Sequence, residues 1–353
     1  MGVKTDIINY CLSLGIDSVG FIKCRKFDEL RQFYEERKAS NLENEFEEKD
    51  IEKRINPLLY LEEGKTIISI GFPYLALKKK GDIEILGTDD QDEKYINGKH
   101  NNDFSVYTRG LDYHYVLNKY LREIAKIIEL YGGKAEIFVD SNTLPERYIA
   151  YLAGVGFIGK NNLVINKKYG SYIFLGEIIT DLEIYDEDNG TFNDISSFRE
   201  CGECTICYKE CPTKAINSVR KNCNICLSYI TQKKDLKDWE MEKLDGRMFG
   251  CDSCQSKCPY NENIEYSKIE EFKSFDFMDN VNEEFIINMN NSEFKESFKK
   301  TSCGWRGKNI LKRNALIRKA LYLKDKSSLD KVKFESPYLQ EYLNRLLHNN
   351  KKN

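Results

Sequence analysis

The chain has 353 residues, with 54 Lys and Arg against 57 Asp and Glu, a formal net charge of -3. That near-balance excludes a uniformly basic nucleic-acid binder, so any such surface must be local. At 41% hydrophobic residues the chain can bury a core in two or three domains, and no apolar run approaches the length of a membrane span.

Residues 3–14 carry helical spacing and stop at Gly15. The opening stretch MGVKTDIINYC has no apolar signal region, so a reducing, cytoplasmic setting is expected. Ser18–Ile22 reads as a short strand and Phe27–Lys38 as an exposed helix. The acidic run Glu43–Glu52 reads as a solvated linker or helix face. Thr66–Phe72 is a continuous apolar run, hence a buried strand. Lys78–Asn102, charged and rich in turn formers, reads as an insertion loop. Tyr113–Tyr131 is a long amphipathic helix ending at Gly132-Gly133. Ala135–Val139 is a strand that delivers Asp140 at its end, and Pro145–Ala153 is a helix with Pro near its start. Leu163–Ile165 and Tyr172–Ile179 are further strands. Interleaved helices and strands predict an α+β or α/β domain over the first 180 or so residues.

Residues 198–262 hold the strongest signal. Cys201-x2-Cys204-x2-Cys207-x3-Cys211-Pro212 is the bacterial ferredoxin spacing for a [4Fe–4S] cluster. Cys251-x2-Cys254-x3-Cys258-Pro259 is one cysteine short, and Cys226 can fill the gap. In two-cluster modules the fourth cysteine of a run serves the other cluster. That rule gives one set of Cys201, Cys204, Cys207 and Cys258, and another of Cys211, Cys226, Cys251 and Cys254. Spacing alone leaves Cys223 as an alternative to Cys226. Structural zinc also uses C-x2-C pairs, but a run of four ending in Cys-Pro is not a zinc-ribbon pattern. Cys11, Cys24 and Cys303 read as buried or free thiols.

The last third is polar and helical. Lys299–Lys326 concentrates ten Lys and Arg around the single acid Asp325. Such a run reads either as a phosphate-facing surface or as a solvated helix face. Trp239 and Trp305 are candidates for stacking on a base or for packing. Asp140, taken alone, is most simply a helix cap. The stretch AGVGFIGKNN has glycines in G-x-G-x-x-G spacing but follows a helix, which makes it a poor dinucleotide fingerprint. It can still bring backbone close to a large cofactor.

Several segments together match one family. RINPLLYLEEGKTIISI, YTRGLDYHYVL, FVDSNTLPERYIAYLAGVGFIGKNNLVINKKYGSYIFLGEI, the cysteine runs with CLSYITQ, and RGKNILKRNALI make the chain resemble the epoxyqueuosine reductases, from about Arg54 to Leu323. The resemblance implies an α+β fold. A cobalamin-binding α/β sandwich, reductive-dehalogenase-like, would cover 1–195. A ferredoxin-like module with two [4Fe–4S] clusters would cover 196–262. A short helical C-terminal region, 263–353, would be a candidate tRNA contact surface. It implies base-off cobalamin beside one cluster, with Arg54, Asp140, Lys160, Asn161, Val164, Leu175 and Ser228 at the cofactor. Asp140 would be the proton donor, and burial against the corrin would raise its pKa. Arg109 and His114 fall in a family motif and are candidates for polar support.

The substrate implied is epoxyqueuosine in tRNA, with an external electron donor such as flavodoxin or ferredoxin and a monomeric, oxygen-sensitive enzyme. Two features depart from the family. Ser141-Asn142-Thr143 stands where the family has Ser-Gly-Pro, and little chain follows Leu323 for the HEAT-like helices of many members. A paralogue with the same cofactors and another substrate, a corrinoid-reducing activator, or a plain electron-transfer protein are the alternatives.

Overall fold

The computed structural model describes residues 2–77, 104–140, 143–218, 221–279 and 282–348. The insertion read at Lys78–Asn102, and Ser141 and Asn142 of the departing loop, lie outside the described residues.

The strands are β1 (Val19–Lys23), β2 (Thr66–Pro73), β3 (Ala135–Phe138), β4 (Phe157–Ile158), β5 (Val164–Ile165) and β6 (Ile173–Thr180). Five of these strands begin or end within two residues of where the sequence places them, and β4, inside the glycine-rich stretch, was not foreseen. β1, β2, β6 and β3 form one antiparallel sheet in that order, and β4 pairs with β5 in a separate ribbon. Ser69 of β2 and Phe138 of β3 both stand opposite Glu177 of β6.

The helices that shape this domain are α1 (Val3–Ser13), α2 (Arg31–Ala39), α3 (Tyr113–Leu130) and α4 (Glu146–Leu152). Leu117, Leu121, Ile124 and Ile128 recur at helical spacing along α3 and bury one stripe. With Ile7 and Cys11 of α1 they pack on Ile68, Ile70, Phe72 and Ile178. The alternate residues Ile22, Ile67, Phe138 and Ile179 pack on Tyr148, Ile149 and Leu152 of α4 and on Tyr34 of α2. The sheet is therefore covered on both faces, a sandwich. This is why β2 is buried along its whole length and reads as an unbroken apolar run although its pairing is antiparallel. α4 approaches β1 closely because position 20 is glycine: a Cβ there would lie 1.9 Å from the Ala153 carbonyl oxygen.

In the second half, α5 (Lys308–Ile317) and α6 (Pro337–His348) share one core with the cysteine-bearing segment. Leu227, Ile230, Met241, Met248 and Phe249 pack with Ile286, Leu311, Leu316, Leu339, Leu343 and Leu346.

Two sequence expectations change. The basic run is not a continuous outward face. Lys312, Arg313, Arg318 and Lys319 are all buried. Arg313 donates to the carbonyls of Thr231 (3.0 Å), Lys233 (2.5 Å) and Lys234 (2.8 Å). Arg318 pairs with Glu283 at 2.5 Å, and Lys319 with Glu284 at 2.6 Å. The acidic run is not a solvated linker either. Glu47 is 15% exposed at its side chain and pairs with Arg37 (3.0 Å) and Arg54 (3.2 Å). In both segments a charge count along the chain cannot tell side chains spent on buried partners from those facing water.

Candidate active site and cluster-binding module

Asp140 follows β3 with φ 45°, a left-handed conformation that turns the chain out of the sheet. Its side chain is 50% exposed. The Tyr113 phenol donates a short hydrogen bond to Asp140 Oδ2, and His114 Nε2 lies 3.8 Å from the same oxygen. Both partners come from the first turn of α3, which Asp112 caps by accepting from the His114 backbone N–H. The Asp112 carboxylate also holds His114 Nδ1 at 2.9 Å. The Tyr113 ring is fixed between His114 (centroids 4.2 Å) and Phe174 (4.4 Å). Burial, then the Asp140 charge, pushes the Tyr113 phenol well above its usual pKa, so it remains a donor. Burial opposes the charged form of His114, but Asp112 and then Asp140 outweigh it, and the imidazole pKa is raised.

Beneath this site sits Glu177, fully buried on the central strand. Ser69 Oγ donates to its Oε1 at 3.3 Å, and Oε2 has no partner. Burial, then the nearby Glu146 and Asp140, raise its pKa well above the carboxylate range, so it is held as the neutral acid.

The eight cysteines gather as two groups. The Cys207 thiol feels Cys201, Cys204 and Cys258, and the Cys254 thiol feels Cys251, Cys226 and Cys211, each raised first by burial. These are the two sets given by the ligand-exchange rule. Among the described residues no three His, Cys, Asp or Glu side chains close to single-ion spacing; a four-iron cube holds its thiolates farther apart than one zinc does. Cys223 turns elsewhere. Its Sγ donates to the Leu42 carbonyl and Glu47 Oε1, both at 3.0 Å. Cys11, Cys24 and Cys303 are buried, and burial pushes each thiol up to about 12.

The glycine-rich stretch joins the two halves. Lys160 N–H points at Cys201 Sγ (3.5 Å), and its Nζ donates to the Gly202 (2.5 Å) and Cys204 (3.1 Å) carbonyls. Asn161 Nδ2 donates to the Cys254 carbonyl at 3.3 Å. One loop thus touches both cysteine groups. Val164 is buried in β5, Leu175 is half-buried in β6, and Ser228 lies beside the Tyr107 phenol. Arg54 lies over the Tyr34 ring (4.0 Å) and on Glu47, yet its Nε is a buried donor without an acceptor. Arg147 donates to the Asn162 carbonyl at 2.9 Å. Its side chain keeps accessible surface although protein surrounds the guanidinium. Loss of hydration lowers its pKa, with Arg37 and Arg54 adding repulsion. Lys221 is lowered to about 8 by the same loss and by Arg147.

Arg109, a candidate for support near Asp140, instead clamps the Phe104 carbonyl with Nε and Nη2. Tyr113, Arg147 and Glu177 were not singled out from sequence. Tyr113 was within reach, since it precedes His114 in the same first turn. Glu177 gave no signal beyond a charge inside an apolar strand.

Comparison with known proteins agrees with this arrangement. Residues 54–141 match the family described as Epoxyqueuosine reductase QueG, DUF1730, and residues 200–261 match the 4Fe-4S double cluster binding domain. An epoxyqueuosine reductase of Lactococcus garvieae is 35% identical over 94% of this chain and 90% of its own length. The structure of epoxyqueuosine reductase from Streptococcus thermophilus superposes with a TM-score of 0.83 at 33% identity, covering 98% of this chain and 90% of that one. A crystal structure of epoxyqueuosine reductase with an epoxyqueuosine-modified tRNA-Tyr stem loop gives 0.84 at 29% identity, covering 98% and 89%. With both cysteine groups, the sandwich and full-length similarity in place, the chain belongs to the epoxyqueuosine reductases, oxidoreductases that carry a double [4Fe–4S] module.

Proposed function

We propose that this chain reduces epoxyqueuosine to queuosine in tRNA with Asp140 as proton donor and a cobalamin held with the help of Arg54, Arg147, Lys160 and Lys221. The observation that carries the reading is the placing of Asp140. It stands at a sheet end, held by Tyr113 and His114, in the same domain as the loop that touches both cysteine groups.

The residues present fit a corrinoid. Base-off cobalamin carries a phosphodiester and many amides, and the orphaned Arg54 Nε with the desolvated Arg147 and Lys221 suits an anionic, amide-rich ligand. When bound, reduced cobalamin supplies a cobalt-centred electron pair at a potential no side chain reaches. Cys201, Cys204, Cys207 and Cys258 would hold one cluster. Cys211, Cys226, Cys251 and Cys254 would hold the other, since Cys223 is engaged by Glu47. An outside one-electron donor, such as a flavodoxin or ferredoxin, is required to recharge them.

Deoxygenating the epoxide to an alkene consumes two electrons and two protons and releases water. Asp140 would give its proton to the departing oxygen, which spares the reaction from expelling an oxyanion. Tyr113 fixes Oδ2 and so directs Oδ1 towards the substrate. His114, held by Asp112, is placed to return a proton to the carboxylate.

The test is anaerobic reconstitution with iron, sulfide and cobalamin, followed by assay on an epoxyqueuosine stem loop. About eight irons, one corrinoid and formation of queuosine are expected. Full iron with no corrinoid bound would overturn the cobalamin assignment.

A further inference from the structure

Outside the Asp140 site, the most unusual exposed feature is Trp305. Its side chain is 50% exposed although its surroundings are ordered. The indole N–H donates to Gln232 Oε1 at 3.0 Å. The Phe46 ring meets it edge-on at 5.1 Å, and Tyr229 meets Phe46 at 5.3 Å. The Arg306 guanidinium lies 4.9 Å from the indole centroid and 5.2 Å from Phe46, anchored by Nε on the Gln232 carbonyl at 2.8 Å. An aromatic ring held rigid by a hydrogen bond, a neighbouring ring and a cation, with half its surface left to solvent, is a pre-organised stacking platform.

Two routes tie this platform to Asp140. Gln232 Nε2 donates to the Ser228 carbonyl at 2.9 Å. Ser228 neighbours Tyr107, and the Tyr107 ring centroid lies 6.5 Å from that of Tyr113, the residue that holds Asp140. Independently, the Lys300 carbonyl accepts from the Asp112 N–H at 2.9 Å, and Asp112 holds His114. The segment Lys299–Arg306 is therefore tied, at Lys300, to the turn that holds His114 and Tyr113 against Asp140. Lys299 and Lys300 are exposed on it, and Lys308 follows half-buried. Glu45 is exposed next to Phe46, so the platform itself is not a purely cationic patch. Its chemistry favours an uncharged flat group, with charge recognition left to the lysines.

We infer that Trp305 is a binding residue for the RNA substrate, stacking on an unpaired base that neighbours the nucleotide presented to Asp140, while Lys299 and Lys308 meet the adjoining phosphates. The inference rests on the proposed tRNA substrate. Stacking is sequence-tolerant, so the contact adds affinity and places the strand rather than selecting a base.

The test uses the reconstituted enzyme and an epoxyqueuosine stem loop. Trp305→Ala is expected to raise KM by roughly 5- to 100-fold, the effect of one lost base–aromatic stack, with kcat and iron content close to wild type. Trp305→Phe keeps a ring without the indole N–H and should recover most of the affinity. A second readout uses Trp239→Phe, which leaves Trp305 as the one tryptophan of the two in the chain. The stem loop should quench its fluorescence, and a fully paired RNA duplex should quench it much less. Normal KM in Trp305→Ala with active wild type would overturn the inference. So would loss in Trp305→Phe equal to that in Trp305→Ala, which marks the Gln232 hydrogen bond as the relevant contact, or equal quenching by duplex. Absence of wild-type turnover would instead count against the substrate reading itself.

Discussion

At the scale of single residues, the proposed chemistry depends on how Asp140 is held. The Tyr113 hydroxyl makes a charge-assisted hydrogen bond to Oδ2, of a kind contributing about 1.5–3 kcal/mol. Tyr113→Phe keeps the stacked ring and removes that bond, so kcat should fall roughly 10- to 100-fold with KM little changed. An unchanged kcat would separate Tyr113 from catalysis. Glu177 has a different consequence. Its pKa is raised in the folded chain, so the native state holds a proton that the unfolded chain releases above about 4.3. The associated stability is complete at low pH and is lost as pH rises through the raised folded value. Glu177→Gln removes that slope. Its Tm should match wild type near pH 4 and exceed it at pH 8, and parallel curves would contradict burial as a neutral acid. Asp140 was legible as a strand-end carboxylate from the local pattern, but its proposed role as an acid only through the family motif, because a lone Asp between strand and helix is commonly a cap. Glu177 was illegible because its significance comes from Ser69 and Phe138, which are far away in sequence.

At the scale of elements, α5 and the loop around Glu47 show what charge patterns conceal. α5 was read within a run that faces either phosphates or solvent, yet every residue from Ile310 to Ile317 is buried. Arg313 satisfies carbonyls in the turn at Thr231–Lys234 that precedes the second cysteine pair. Arg313→Ala should cost about 3–5 kcal/mol, as removal of a buried charged partner does, visible as a lower midpoint in denaturant. A shift below about 1 kcal/mol would place Arg313 outside the core. The Glu47 loop reaches the cluster segment through Cys223. Cys223→Ser should therefore keep about eight irons, whereas Cys226→Ser should lose about four. The reverse result would exchange their roles. The strands and α3 were legible because their signals are local: an unbroken apolar run in β2, and 3.6-residue periodicity with a cap and a terminal glycine in α3.

At the scale of the molecule, a sandwich with Asp140 at one sheet end is joined by the Lys160–Asn161 loop to two cysteine groups. The cysteine spacing announced a double-cluster domain, and the division of its ligands by the exchange rule stays a proposal. The strand order β1–β2–β6–β3 was not available from sequence, since it pairs segments more than a hundred residues apart. Nor was the shared core between the cluster segment and α5–α6. The central claim is that Asp140 protonates the departing oxygen. Its most direct test is single-turnover assay of wild type and Asp140→Asn, each reconstituted and pre-reduced, on an epoxyqueuosine stem loop, read by the mass loss of one oxygen. Wild type should form queuosine, and Asp140→Asn should be slower by roughly 100-fold or more with unchanged iron and stem-loop affinity. Turnover by Asp140→Asn at the wild-type rate would contradict the account.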